Sequence, residues 1–393
     1  MKLFKKEPDF KFMNKKLYAF VISGLVIIAG LVLLQTRGFN LGIDFSGGTM
    51  IEISFKDEVN IDYLRDSLDK VGIADSEIVR VKRENKFFIK TIMDIKDADS
   101  GEDFEAHEKK ANLIKEVFRN DEEKANLQAG KLDLNNSAEN SIMNFLSGKG
   151  ISPDDAEDSA KKIVGLRKSY QDANGNITGL IGDFSEIEKL DLKKRVQAVL
   201  KEHTFLGSFT FLSTEFVGPQ VGLRLRDQAA RATFFALIGM LLYIGFRFKW
   251  IYGIAAVITL FHDVLIVLAV ILFFKVEVSL SVVAGILTIV GYSLNDTIVI
   301  FDRVRDNVKL MRKEGAEKIL DTSINRTLSR TIVTSGTTLA TVLALFFFGG
   351  EVIHNFSFTL ITGIIVGTYS SIFQSCVWLK IWEKNFLGRK KSK

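Results

Sequence analysis

The placement of long apolar runs constrains this chain more than any other feature. One run, LYAFVISGLVIIAGLVLL, covers residues 17 to 34. Five more crowd into the C-terminal half, at about 229–246, 251–274, 281–301, 331–350 and 354–380. Each is long enough, as a helix, to cross a hydrocarbon core of about 30 Å. The expected fold is therefore a polytopic α-helical membrane protein, a six-helix transmembrane bundle. Between the first and second runs lies a charged stretch, residues 36 to 226, with the character of a soluble domain.

Whole-chain averages hide this division. The net charge of +5 says little until the basic residues are located. Six lysines precede the first run within residues 1–16, and QTRGFN follows it instead of the small residues of a cleavage site. That pattern predicts an uncleaved signal anchor. With the N-terminus inside, six crossings return the C-terminus to the cytoplasm. The segments then placed inside are MKLFKKEPDFKFMNKK, FRFKW, DRVRDNVKLMRKEGAEK and NFLGRKKSK, all basic, as the positive-inside rule requires. The expected organisation is a cytoplasmic N-terminus (1–16), a first helix (17–35), an exported domain (36–226), helices two to six (227–382) and a cytoplasmic tail (383–393).

The exported stretch shows strand and helix periods in turn. TMIEISF (49–55) alternates Ile51, Ile53 and Phe55 on one face. NIDYLRDSLDKVG (60–72) spaces Ile61, Leu64, Leu68 and Val71 helically, with Asn60 as N-cap. EIVRVKRENKFFIKTIM gives two strands around a RENK turn, LKKRVQAVLKEH (192–203) an amphipathic helix, and GSFTFLSTEFV (207–217) a last strand. The order β-α-β-β-α-β predicts an α+β ferredoxin-like extracytoplasmic domain. Residues 95–188 interrupt it, with helical stretches near 105–119, 138–147 and 154–171, and are expected to form a helical insertion with a solvated surface. Asn176-Ile177-Thr178 fits a glycosylation sequon, a pattern short enough to arise by chance.

No enzyme chemistry is written in the chain. Cys376 is the one cysteine, which excludes an intramolecular disulfide and a cysteine cage for metal; it sits in an apolar run as a small packing residue. His107, His203, His262 and His354 are too scattered to hold metal. There is no nucleotide-binding motif and no nucleophile–base arrangement, so neither cofactor, metal nor nucleic acid is expected.

The spans carry polar stripes at three- and four-residue spacing. They are Ser281, Gly285, Thr288, Tyr292 and Asp296; Arg330, Thr334, Thr337 and Thr341; Gly363, Gly367, Ser370 and Gln374; and Ala256, Thr259 and Asp263, with His262 beside it. Taken singly, the glycines and threonines are packing residues that let helices approach and hydrogen-bond. Charges are another matter. A carboxylate near the centre of a spanning helix costs roughly 2.5–3.5 kcal/mol on insertion scales. Asp296 lies fifteen residues after Ser281, roughly 22 Å along a helix. Arg330 opens the next span, which runs back, so the two are expected at similar depth and able to pair. Arg330 could instead snorkel to the headgroups; Asp296, on one methylene, cannot reach as far. Protonating Asp296 would release Arg330 and change helix contacts.

GIDFSGGT (42–49), VGPQVG (217–222), HDV (262–264), GYSLNDTIVIFDRVRDN (291–307), SRTIVTSGTT (329–338) and FFGG (347–350) resemble motifs of the SecF family. The resemblance covers both ends of the chain in order, within the resistance-nodulation-division (RND) superfamily. It implies a proton-motive-force-coupled subunit of the accessory complex of the Sec translocase, in the bacterial inner membrane. The implied partners are a SecD-like subunit, the SecYEG channel and exported polypeptides. It also implies proton-pathway roles for Asp296 and Arg330, with Asp263 and Asn295 as weaker members of the set. The chain departs from the family pattern at 95–188, where a shorter domain is expected, and GLRLRD (222–227) is more basic than expected. In GIDFSGGT the glycines give a tight start to the exported domain; no lysine or helix start follows to support a phosphate cradle. Two other readings stay open: a small-molecule transporter of the same superfamily, and a membrane scaffold with no transport of its own.

Overall fold

The computed structural model describes residues 8–73, 76–81, 84–92, 103–171, 175, 177–247 and 250–381. Arg83 of the RENK turn, Asn176 of the sequon, residues 95–102 of the expected insertion and the tail 383–393 lie outside the described residues. The described residues fall into two compact units, one within Met1–Asp44 and Arg224–Lys393, the other within Phe45–Leu223.

The chain opens with a 3-10 turn at Phe12–Lys15, the long helix α1 (Lys16–Arg37) and the short α2 (Ile43–Ser46). In the second unit, β1 (Gly48–Phe55), β2 (Glu77–Arg80), β3 (Lys86–Ile92) and β6 (Phe209–Val217) form a sheet in the order β2-β3-β1-β6. Every neighbouring pair is antiparallel. Ile51 and Ile53 are fully buried and Phe55 nearly so, as their alternation predicts. They pack against Leu64 and Leu68 of α3 (Ile61–Asp69), whose N-cap Asn60 accepts from the Asp62 N–H at 3.2 Å.

The second helix on this sheet is not the one expected. α4 (Asp103–Phe118), inside the supposed insertion, places Ala111, Ile114 and Phe118 in the same core. The amphipathic helix α9 (Lys194–His203), assigned from sequence to the β-α-β-β-α-β unit, packs elsewhere. Its Val196 and Leu200 join a separate core with α6 (Glu139–Gly148), α7 (Pro153–Ser169) and α8 (Phe184–Glu188). The helical subdomain therefore extends beyond 188 to take in α9. The remaining elements are α5 (Asp121–Gln128), closed by an Asn120–Glu123 capping box, and a parallel pair of β4 (Leu132–Asp133) with β5 (Thr204–Phe205).

A buried polar knot joins the two cores. Asn135, fully buried, donates through Nδ2 to the Ile181 and Gly207 carbonyls at 3.1 and 2.9 Å and accepts from the Ile181 N–H at 2.9 Å. Asp133 accepts from the Gly207 N–H at 3.1 Å and from Arg119 Nη1 at 3.2 Å. Arg167 Nη1 donates to the Leu134, Asn135 and Ser137 carbonyls. Burial lowers the pKa of its guanidinium from the usual arginine value, with the Asp133 charge opposing. At the other end of the β1–β6 pair, Gly47 sits at φ +73°, and a Cβ there would lie 2.7 Å from the Pro219 backbone. The GG and GPQ motifs thus meet, and the glycine is required by both its conformation and this contact.

The first unit holds α10 (Pro219–Arg247) from Arg224 onward, α11 (Trp250–Phe273), α12 (Leu280–Leu310), α13 (Ala316–Phe348), α14 (Glu351–Phe373) and α15 (Ser375–Ile381). Among the described residues six helices are long and apolar enough to cross a membrane, α14 and α15 serving as one. The predicted spans thus stand in number. α12 and α13, however, run on past the apolar runs, each to more than 45 Å at about 1.5 Å per residue.

α14 packs against α11, α12, α13 and α15, and α1 against α11. Small residues set the spacing. A Cβ on Gly363 would overlap the Ile289 side chain, one on Gly367 would lie 3.0 Å from Ser293 Cβ, and Gly30 of α1 sits against Ala269. Asp44 Oδ2 accepts from the Leu280 N–H at 2.8 Å, so this acid from the GIDF motif caps α12 in place of its N-cap Ser279. At the opposite end, Asn325 grips the Phe10 backbone, accepting from its N–H at 3.0 Å and donating to its carbonyl at 2.9 Å. Cys376 is fully buried and packs as a small residue.

Candidate functional site

Two aspartates and a set of hydroxyls converge where α11, α12, α13 and α14 meet. On α11, one turn separates Thr259 from Asp263, and both face inward, at 1% and 0% exposure. Asp263 is saturated with donors. His262 Nδ1 lies 3.0 Å from Oδ1, while Ser293 Oγ and Ser370 Oγ donate to Oδ2 at 2.5 and 2.8 Å. Facing a carboxylate, Nδ1 is a donor nitrogen, and the other ring nitrogen is Nε2. Among the described residues that buried Nε2 has no partner.

Asp296 on α12 is also buried, at 4% exposure. It is served differently: among the described residues a single hydroxyl, Ser335 Oγ of α13, donates to Oδ2 at 3.1 Å. Ser335 in turn accepts from Thr368 Oγ1 of α14 at 2.9 Å. The hydroxyl run of α14 therefore touches both acids. Thr368 reaches the Asp296 side and Ser370 the Asp263 side, and between them Ser371 meets Thr297 Oγ1 of α12 at 3.0 Å. Such chained hydroxyls polarise one another and can reverse donor and acceptor roles by rotation of an O–H.

Three of the four polar stripes face this interior, and one does not. Gly363 and Gly367 line the α12–α14 contact, Ser370 reaches Asp263 of α11, Gln374 donates to Ser23 Oγ of α1, and Ala256, Thr259 and Asp263 are buried on α11. Gly285 and Asp296 point inward from α12, although Thr288 between them is exposed. On α13 the stripe of Arg330, Thr334, Thr337 and Thr341 is turned outward; Arg330, Thr337 and Thr341 are exposed. The three threonine hydroxyls donate to carbonyls of their own helix. Thr331 and Ser335, one and five places on from Arg330, are the buried hydroxyl residues along this stretch of α13.

The expected pairing of Asp296 with Arg330 is accordingly absent from the described residues: neither takes part in an ion pair within 4.0 Å. Asn295 is exposed, on the side of α12 away from the hydroxyls. Arg330 instead borders a cavity of about 390 Å³ between the extended ends of α12 and α13, with Arg303, Arg326, Asp302, Asp306 and Tyr243 of α10. Next to it Asn307, fully buried, donates to Ser323 Oγ at 2.8 Å and accepts from Arg326 Nη1 at 3.0 Å.

Sequence reasoning isolated the two aspartates and placed Ser370 in a polar stripe without linking it to Asp263, but missed Ser293, Ser335 and Thr368. The signal was present in GYSLND, TSGTT and GTYSS, three hydroxyl-dense segments within apolar helices.

Residues 196–385 match the family described as "Protein export membrane protein SecD/SecF, C-terminal", and residues 32–59 match the "SecD/SecF GG Motif". The chain is 37% identical over 380 residues to the protein translocase subunit SecF of Koribacter versatilis, covering 95% of this chain and 91% of that one. It is 32% identical over 376 residues to the SecF of Escherichia coli O157:H7, covering 95% and 88%. These coverages take in the helical segment, so a chain of this length is not a departure peculiar to this protein. Its structure is similar to the crystal structure of SecDF, a translocon-associated membrane protein from Thermus, with a TM-score of 0.64 and 27% identity. That match covers 98% of this chain and 40% of the SecDF chain. A second SecDF structure, in a super-membrane-facing form, gives a TM-score of 0.55 at 28% identity.

Proposed function

The chain belongs to the SecF family of protein translocase subunits, and from that premise we propose that it couples the proton motive force to polypeptide export. It does so with a SecD-like subunit and the SecYEG channel, with both termini in the cytoplasm. The observation that carries the reading is the unequal treatment of two buried acids: three donors serve Asp263, whereas one hydroxyl serves Asp296.

An acid held by several donors is fixed in place; one held by a single rotatable hydroxyl can exchange that contact when its charge changes. In this mechanism a proton reaching Asp296 alters the Ser335 and Thr368 contacts, and with them the packing of α12, α13 and α14. Arg330 stands five residues before Ser335, roughly 140° around α13. A rotation of α13 would bring its fixed charge toward the acid, and the reverse rotation would release it. One charge moving through 100 mV contributes about 2.3 kcal/mol, enough to bias a two-state bundle more than tenfold.

The test is to change Asp296 to Asn and measure complex assembly and export separately. Retained assembly with loss of gradient-dependent export supports the reading. Unchanged gradient-dependent export removes proton coupling through Asp296 and favours the scaffold reading. Efflux of a small molecule dependent on this chain, with normal protein export, favours a transporter.

A further inference from the structure

The cavity beside Arg330 is graded along the bundle. Ile298 and Val299 of α12 form its apolar part, and Arg303, Arg326 and Arg330 its basic part. At about 1.5 Å per residue, Val299 lies about 28 Å from the start of α12 and Arg303 about 34 Å. An apolar core of about 30 Å would therefore end between them. On α13, Arg326 and Arg330 lie about 33 and 27 Å from the far end of the helix, at the same level. Tyr243 completes the wall from α10, at the depth where amphipathic aromatic rings collect.

The charges in this space do not cancel. Asp302 is engaged by Arg305 Nη2 at 2.6 Å, which leaves Asp306 as the lining acid outside any ion pair among the described residues. Arg303 of the same helix and Arg326 and Arg330 of α13 line the cavity with it, Arg326 already donating to Asn307 Oδ1 at 3.0 Å. Among the described residues, Arg303 and Arg330 have no carboxylate within 4.0 Å.

We propose that this cavity binds the phosphodiester headgroup of a membrane phospholipid. Arg303 and Arg326 hold the phosphate oxygens, and the glycerol backbone and chains leave past Ile298 and Val299. Planar guanidiniums match phosphate oxygens two at a time and are weakly hydrated, which suits a site at a membrane surface. Basic pockets between spanning helices are a recurrent means of headgroup capture. The apolar part favours a lipid over a free phosphate, which would gain nothing from Ile298 and Val299. The inference rests on the membrane reading of the six helices and not on proton coupling, so either can fail alone.

The test uses the full chain, delipidated in detergent, with phosphatidylglycerol binding followed by native mass spectrometry. Diacylglycerol and sn-glycerol 3-phosphate serve as separate competitors. The Arg303→Gln, Arg326→Gln variant is expected to bind the lipid about tenfold more weakly, as loss of charge-assisted hydrogen bonds implies. Asp306→Asn, which removes the opposing charge, is expected to bind at least as tightly as the parent, and neither competitor is expected to displace the lipid. Equal binding by the double arginine variant overturns the site. So does weakening by Asp306→Asn, which would report general damage. Displacement by glycerol phosphate at matched concentration would overturn the lipid assignment in favour of a soluble anion.

Discussion

Ser335 Oγ donates to Asp296 Oδ2 at 3.1 Å, so the acid on α12 is held by the neighbouring helix through one hydroxyl. Ser335→Ala removes that contact and leaves the carboxyl group of Asp296 in place. Gradient-dependent export is expected to fall about tenfold, the scale of one hydrogen bond to a charged group. Ser335→Thr keeps the hydroxyl and is expected to stay near the parent. Export assayed in vesicles with and without a proton gradient separates the two.

Asp263 should behave as a structural acid. Ser370→Ala deletes one of its three donors and is expected to cost about 1–3 kcal/mol, read as a lower unfolding temperature in detergent. Asp263→Ala strands His262, Ser293 and Ser370 together and should cost more than any single serine change. A larger effect of Asp263→Ala on export than on stability would move this acid into the working machinery.

The α12–α14 contact depends on having no side chain at Gly363. Gly363→Ala is expected to destabilise the bundle by about 1–3 kcal/mol through overlap with Ile289. Ile289→Ala in the same chain should recover part of that loss, because the two changes share one space. Thermal unfolding of the single and double variants checks the sign of the coupling.

In the Phe45–Leu223 unit, Asn135→Ala breaks contacts to Ile181 and Gly207 at once and leaves buried backbone groups unpaired. The expected loss is about 2–4 kcal/mol. Limited proteolysis of the full chain should then cut between the sheet core and the helical core before either core is degraded. Uniform degradation would argue that Asn135 does not hold them together.

What was legible from the sequence is what periodicity encodes. Ile51, Ile53 and Phe55 alternate and lie on one buried face; Leu64 and Leu68 meet them from a helix capped by Asn60. The spans were legible because apolar length is a direct physical signal. The partner of a helix face was not. α4 and α9 both have helical sequences, and nothing within either states which core it joins; Ile114 and Val196 are decided by tertiary packing. The stripe on α13 failed for a related reason. Three- and four-residue spacing identifies residues that share a face but not the direction that face points, and Ser335, not Thr334, meets the acid.

Asp44 is the last residue of its unit before the chain passes into Phe45–Leu223, and the same side chain caps the first turn of α12. Replacing Asp44 by Ala would thus take from α12 the acceptor that closes its first turn.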